Sequence, residues 1–114
     1  MNKVILTAVF ALIALFSKAQ AVQDTSLIVN GVCGMCEEII EKSAKLEGVS
    51  SAEWDKETLI LSLKYDPSKV DLNKINNSIV KAGYDTEIST ASDSAYYSLD
   101  PCCYYRDPNN AHKH

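Results

Sequence analysis

Basic charge, glycine and histidine are all scarce in this chain. Eleven Lys and Arg stand against fifteen Asp and Glu, for a net charge of −4 over 114 residues. A nucleic-acid partner, which calls for a basic face, is therefore not expected. With four glycines and two histidines, no glycine loop that cradles phosphate can be built, nor a Ser-His-Asp arrangement, nor paired catalytic carboxylates. No enzyme is expected. The remaining composition is that of a globular protein rather than a fibrous or wholly disordered one, and the length bounds it to one small domain plus processed or tail segments.

The longest apolar run is short. Asn2-Lys3 is a positive start, Val4 to Phe16 is apolar apart from Thr7, and Ser17-Lys18-Ala19 ends in small residues. That three-part shape is that of a secretory signal peptide, and the run is too short for a permanent membrane anchor. Residues 1–19 are expected to be removed, with Ala21 as the alternative cut. The product would be carried across the inner membrane, to the periplasm. Loss of Lys3 and Lys18 takes the charge from −4 to −6 and leaves about 95 residues, enough for one modest core.

Four cysteines in an exported chain usually suggest disulfides. Here Cys33 and Cys36 are close, and Cys102 and Cys103 are adjacent, so neither pair staples distant parts of the chain. A Cys33–Cys36 disulfide would constrain little. A Cys102–Cys103 bridge would need a strained ring.

The spacing of apolar residues predicts a strand at Ser26 to Val29, a turn at Asn30-Gly31, and a helix from Glu37 with Ile39, Ile40, Ser43, Ala44 and Leu46 on one face. Gly48 is expected as its C-cap. A strand from Val49 to Asp55 follows, with Ala52 and Trp54 on one face. Thr58 to Tyr65 alternates with period two, so Leu59, Leu61, Leu63 and Tyr65 face the core. Asp71 is placed to N-cap a second helix carrying Leu72, Ile75, Ile79 and Ala82, which Gly83 ends before a last strand from Tyr84 to Ile88. This α+β order is the ferredoxin-like βαββαβ arrangement, a four-stranded antiparallel sheet with two helices on one face. Residues 24–89 form this domain. Residues 90–114 lack periodicity and are expected as a flexible tail containing Cys and His.

In that topology Cys33 lies in a loop and Cys36 at the start of the first helix, where orphan amides and the positive helix end favour thiolate, the form that binds metal. Two soft sulfurs suit Cu(I), which accepts a near-linear two-sulfur site. Hg(II) also accepts two thiolates, whereas Zn(II) prefers four ligands. The other reading of Cys-x-x-Cys, a small dithiol-disulfide oxidoreductase, wants a proline facing the pair just before a strand. Pro67, Pro101 and Pro108 do not supply it.

Asn30-Gly31-Val32-Cys33-Gly34-Met35-Cys36, Glu47-Gly48-Val49, Trp54-Asp55, Tyr65-Asp66-Pro67 and Ala82-Gly83-Tyr84-Asp85 together resemble the heavy-metal-associated domain. That module occurs in copper chaperones and in the amino-terminal tails of metal-pumping P-type ATPases. The resemblance implies a metallochaperone or metal scavenger that takes its ion through Cys33 and Cys36. The implied partner is a metal-transporting P-type ATPase or efflux component, and an exported mercury-binding protein is the alternative within the fold. It also implies that Tyr84 shields the site, its other reading being a core aromatic. The family usually has Gly-Met-Thr before its first cysteine; here the methionine that packs beneath the loop is replaced by Gly31. In the tail, Cys102, Cys103, His112 and His114 are candidates for a second soft or borderline site, or for an extension of the first.

Overall fold

The computed structural model describes residues 22–110, so the expected signal peptide and both tail histidines, His112 and His114, lie outside the described residues. Strand β1 runs over Gln23–Ile28, helix α1 over Gly34–Ala44, β2 over Val49–Trp54, β3 over Ile60–Tyr65 and helix α2 over Leu72–Lys81. A short helix α3 at Asp93–Tyr97 and a 3-10 turn at Pro101–Cys103 complete the described chain. No helix among the described residues is long and apolar enough to cross a membrane.

The sheet is antiparallel in the order β1-β3-β2. Period-two alternation on β3 buries Leu61, Leu63 and Tyr65 and exposes Ile60, Ser62 and Lys64. Leu61 lies between Leu27 of β1 and Trp54 of β2, and Leu63 between Thr25 and Ala52. Ile40 and Ala44 of α1 and Ile75 and Ile79 of α2 complete the same apolar cluster. Ser78 Oγ donates to the Ser43 carbonyl at 2.6 Å, tying the two helices together.

Three details correct the expectations. First, among the described residues the sheet has three strands, not four. Val29 and Thr86 form a single antiparallel bridge, after which the chain reverses. The Thr86 amide donates to the Ser89 carbonyl, and buried Asn76 holds the turn by donating to Ser89 Oγ and accepting from Thr86 Oγ1. Second, Gly48 does not cap α1, which ends at Lys45. It takes φ +99° in the following turn, where an added Cβ would lie 2.8 Å from Lys69 Cβ. Gly83, by contrast, caps α2 as expected, with φ +111° and the paired bonds Gly83 N–H to Val80 O and Tyr84 N–H to Ile79 O. Third, the segment after Ser89 folds back as far as Asn110 and buries Tyr96, Leu99, Cys103 and Tyr105. The reversal at Thr86 sends it toward the cysteine loop rather than away from it.

Asp71 N-caps α2 as expected, accepting from the Lys74 amide at 2.8 Å. Strand β3 starts two residues later than its pattern suggested. Asp55 gathers the Glu57 and Thr58 amides into a turn and Leu59 adopts φ +66°.

Candidate metal centre

The cysteine loop is built on the N-terminus of α1. Cys33 is the N-cap residue, with extended backbone and no side-chain capping bond. The Glu37 amide reaches back to the Cys33 carbonyl at 3.1 Å. Cys36 lies one turn into the helix and is fully buried, while Cys33 is half-buried. Their sulfurs are 3.7 Å apart and unbridged. Burial raises the Cys33 thiol pKa, but the Cys36 and Met35 amides and the Cys36 thiol outweigh it, and the net shift is downward. This is the helix-terminus stabilisation of thiolate that the sequence implied.

Beneath the loop, the place left open at Gly31 is filled from elsewhere. A Cβ on Gly31 would lie 2.9 Å from two atoms of the Trp54 ring. Trp54 is buried, donates from Nε1 to the Val29 carbonyl at 3.0 Å, and has its own amide bound by Glu41 Oε2 at 2.9 Å. The indole thus supports the loop from the tip of β2.

The two tail cysteines behave differently. Cys103 is fully buried with its sulfur 4.0 Å from Cys33 Sγ, and Cys33, Cys36 and Cys103 lie within 4.8 Å of one another. Burial and the neighbouring Cys36 sulfur push the Cys103 thiol pKa well up. Cys102 is half-exposed, is not part of that group, and turns its sulfur toward Met35 Sδ at 3.8 Å. Tyr84 is fully buried, and its hydroxyl has no conventional hydrogen-bond partner. Burial, together with the Cys36 and Cys103 sulfurs beside it, raises its pKa.

Residues that the sequence reading did not single out hold this arrangement together. Arg106 forms a two-pronged ion pair with Asp85, at 2.8 and 3.2 Å, and donates to the Ala91 carbonyl at 2.8 Å. Its guanidinium lies 4.3 Å above the Tyr96 ring. Tyr105 stacks on Tyr84, donates to the Gly83 carbonyl at 2.7 Å and accepts from the Asp85 amide at 2.8 Å. The available signal was Asp85 at the end of the Ala82-Gly83-Tyr84-Asp85 motif, and the only arginine lying in a tyrosine-rich stretch.

Residues 26–85 match the family model described as the heavy-metal-associated domain. The copper chaperone CopZ of Staphylococcus aureus (strain bovine RF122 / ET3-1) is 37% identical over 54 residues, covering 46% of this chain and 79% of the relative. Oxidized MerP from Ralstonia metallidurans CH34 superposes with a TM-score of 0.55 at 30% identity, over 59% of this chain and 96% of MerP. The N-terminal domain of the zinc(II) ATPase ZiaA, in its apo form, gives a TM-score of 0.50 at 26% identity, over 82% and 89% of the two chains.

Proposed function

Because this chain belongs to the heavy-metal-associated domain family, we propose that it carries a soft metal ion, Cu(I) first among them, on the thiolates of Cys33 and Cys36. The observation that carries this reading is a pair of unbridged sulfurs 3.7 Å apart at a helix N-terminus, with the Cys33 thiol pKa lowered. Thiolates favour soft monovalent copper over harder ions. The similar protein named a copper chaperone points the same way. The ion is cargo, and the protein is a binder rather than an enzyme. Cys33 is the more exposed ligand and presents the ion to a partner, for which a metal-transporting ATPase is the natural class, given the likeness to an ATPase domain.

The test is titration of the reduced protein with Cu(I) and with Hg(II) against competing chelators. Tight Cu(I) binding is expected in the wild type. It should be lost in Cys33→Ser, because one thiolate of the pair cannot hold the ion alone. A Cys33→Ser, Cys36→Ser double variant that still holds Cu(I) against a strong chelator would move the ligands elsewhere. Hg(II) binding that outcompetes Cu(I) at equal chelation would make the cargo mercury.

The leader at residues 1–19 supports export, so the carrier is proposed to work in the periplasm. Intact mass of the protein from its native source is expected to show a chain beginning near Gln20 or Val22. A full-length, membrane-bound product would overturn export.

A further inference from the structure

The fold brings a third sulfur to the Cys33–Cys36 pair from the far end of the described chain. On the scale of a zinc–thiolate bond, about 2.3 Å, three coplanar sulfurs around one ion stand about 4.0 Å apart and two linear ones about 4.6 Å. The observed Cys33–Cys36 and Cys33–Cys103 separations are 3.7 and 4.0 Å, and all three sulfurs lie within 4.8 Å of one another. These suit the three-sulfur arrangement better. Building on the carrier reading above, we propose that Cys103 is a third thiolate ligand and that the segment from Ala91 to Arg106 is a clasp that closes the two-sulfur loop into a three-sulfur cage.

The placement of Cys103 is built rather than incidental. Pro101 opens the 3-10 turn that aims it, and the Cys103 amide is held by the Asp100 carbonyl at 2.8 Å. On the far side of the cysteine, Tyr105 and Arg106 fasten the segment to Gly83 and Asp85, next to Tyr84 in sequence. Neighbouring Cys102, with the same chemistry, stays outside the three-sulfur group, its sulfur on Met35 Sδ at 3.8 Å.

A second observation points to a ligand here. The Tyr84 hydroxyl is buried with no conventional partner, and a buried donor left unpaired is costly. It lies beside the Cys36 and Cys103 sulfurs. Three thiolates around one Cu(I) leave two net negative charges, which a hydroxyl donor beside two of those sulfurs would stabilise. Binding then releases three thiol protons to solvent, forms three copper–sulfur bonds and leaves copper and sulfur in their original oxidation states.

The experiment uses the reduced full-length protein loaded anaerobically with one equivalent of Cu(I). X-ray absorption at the copper edge is expected to count three sulfurs. In Cys103→Ala the count should fall to two, with affinity against a competing chelator down by about tenfold or more. Cys102→Ala should keep three sulfurs and wild-type affinity, which separates a ligand role from general disturbance of the segment. Should Cys103→Ala fail to fold, the wild-type count and the Cys102→Ala result still decide. Two sulfurs in a tight wild-type complex, or an unchanged affinity in folded Cys103→Ala, would overturn the clasp and leave the two-cysteine carrier standing. A wild-type protein that takes up no Cu(I) would overturn the carrier reading and the clasp with it.

Discussion

A Cβ placed on Gly31 would lie 2.9 Å from two atoms of the Trp54 ring and 3.2 Å from Ile40 Cδ1. These contacts are too short to absorb without moving a buried indole that is itself hydrogen-bonded to Val29. Gly31→Ala is therefore expected to destabilise the protein by about 1–3 kcal/mol, the range for overpacking a core, measured by urea unfolding followed by circular dichroism. At Tyr84 the reverse is expected. Tyr84→Phe removes a buried hydroxyl without a conventional partner, so metal-free stability should hold or rise by up to about 1 kcal/mol. Cu(I) affinity should fall several-fold, because the donor beside Cys36 and Cys103 is gone. Chelator competition and thermal melting of the same samples check both halves. At this scale the sequence spoke clearly where chemistry is local. Cys33 and Cys36 announce themselves by spacing, and the helix start explains the lowered Cys33 pKa. It was silent on Trp54 filling the space above Gly31, because that pairing joins the tip of one strand to the end of another and leaves no periodic trace.

The element that departs most from the expected fold is the last strand, and the same departure makes the site. Had Tyr84 to Ile88 run its full length along β1, the following chain would have left at the end of the sheet away from the cysteines. The Thr86–Ser89 turn, pinned by Asn76, reverses it after one bridge. Strands and helices were legible because each buries one periodic face, Leu61, Leu63 and Tyr65 on β3 or Ile75 and Ile79 on α2. The segment from Ala91 to Arg106 was not, since specific polar and aromatic contacts hold it rather than a repeating apolar face. Arg106 is central among them. Arg106→Ala is expected to cost about 1 kcal/mol or somewhat more, after allowing for partial solvent screening of the Asp85 pair. Its clearer effect should be local: faster amide exchange and proteolysis between Ala91 and Asn110, with β1 to β3 unaffected. Acid should do the same. Burial raises the Asp85 carboxyl pKa, but the Arg106 guanidinium and the Ala91 amide outweigh it and hold the pKa below the usual carboxylate value. A carboxylate with a depressed folded pKa contributes fully above its unfolded value of about 3.9 and loses that contribution as pH falls through the folded value. Clasp protection in amide exchange should stay level from about pH 7 to 5 and weaken below about pH 4.

For the molecule as a whole, the proposed three-sulfur site would join two regions that the backbone keeps far apart. Cys33 and Cys103 are separated by 70 positions, and the described C-terminal segment is also held by the Asp85–Arg106 pair, the Tyr105 hydrogen bonds to Gly83 and Asp85, and a cluster of tyrosine rings. An ion bound to the native state alone stabilises it by about 2.7 kcal/mol when free ligand stands at a hundred times its dissociation constant. For a domain of this size that corresponds to a rise in Tm of roughly 10–20 °C. An ion held by Cys33 and Cys36 alone stabilises a loop on α1 and makes no bond to the C-terminal segment. An ion held by all three cysteines fastens that segment to the domain, so the protection must spread with it. The expected result is that Cu(I) raises the Tm of the wild type more than that of Cys103→Ala at equal total copper. In the wild type, amide exchange should slow together at residues 33–40 and 96–106. In Cys103→Ala it should slow at residues 33–40 alone. Equal Tm gains in the two proteins, with no added protection at 96–106 in the wild type, would mean that the C-terminal segment rests on the domain without taking part in holding the metal.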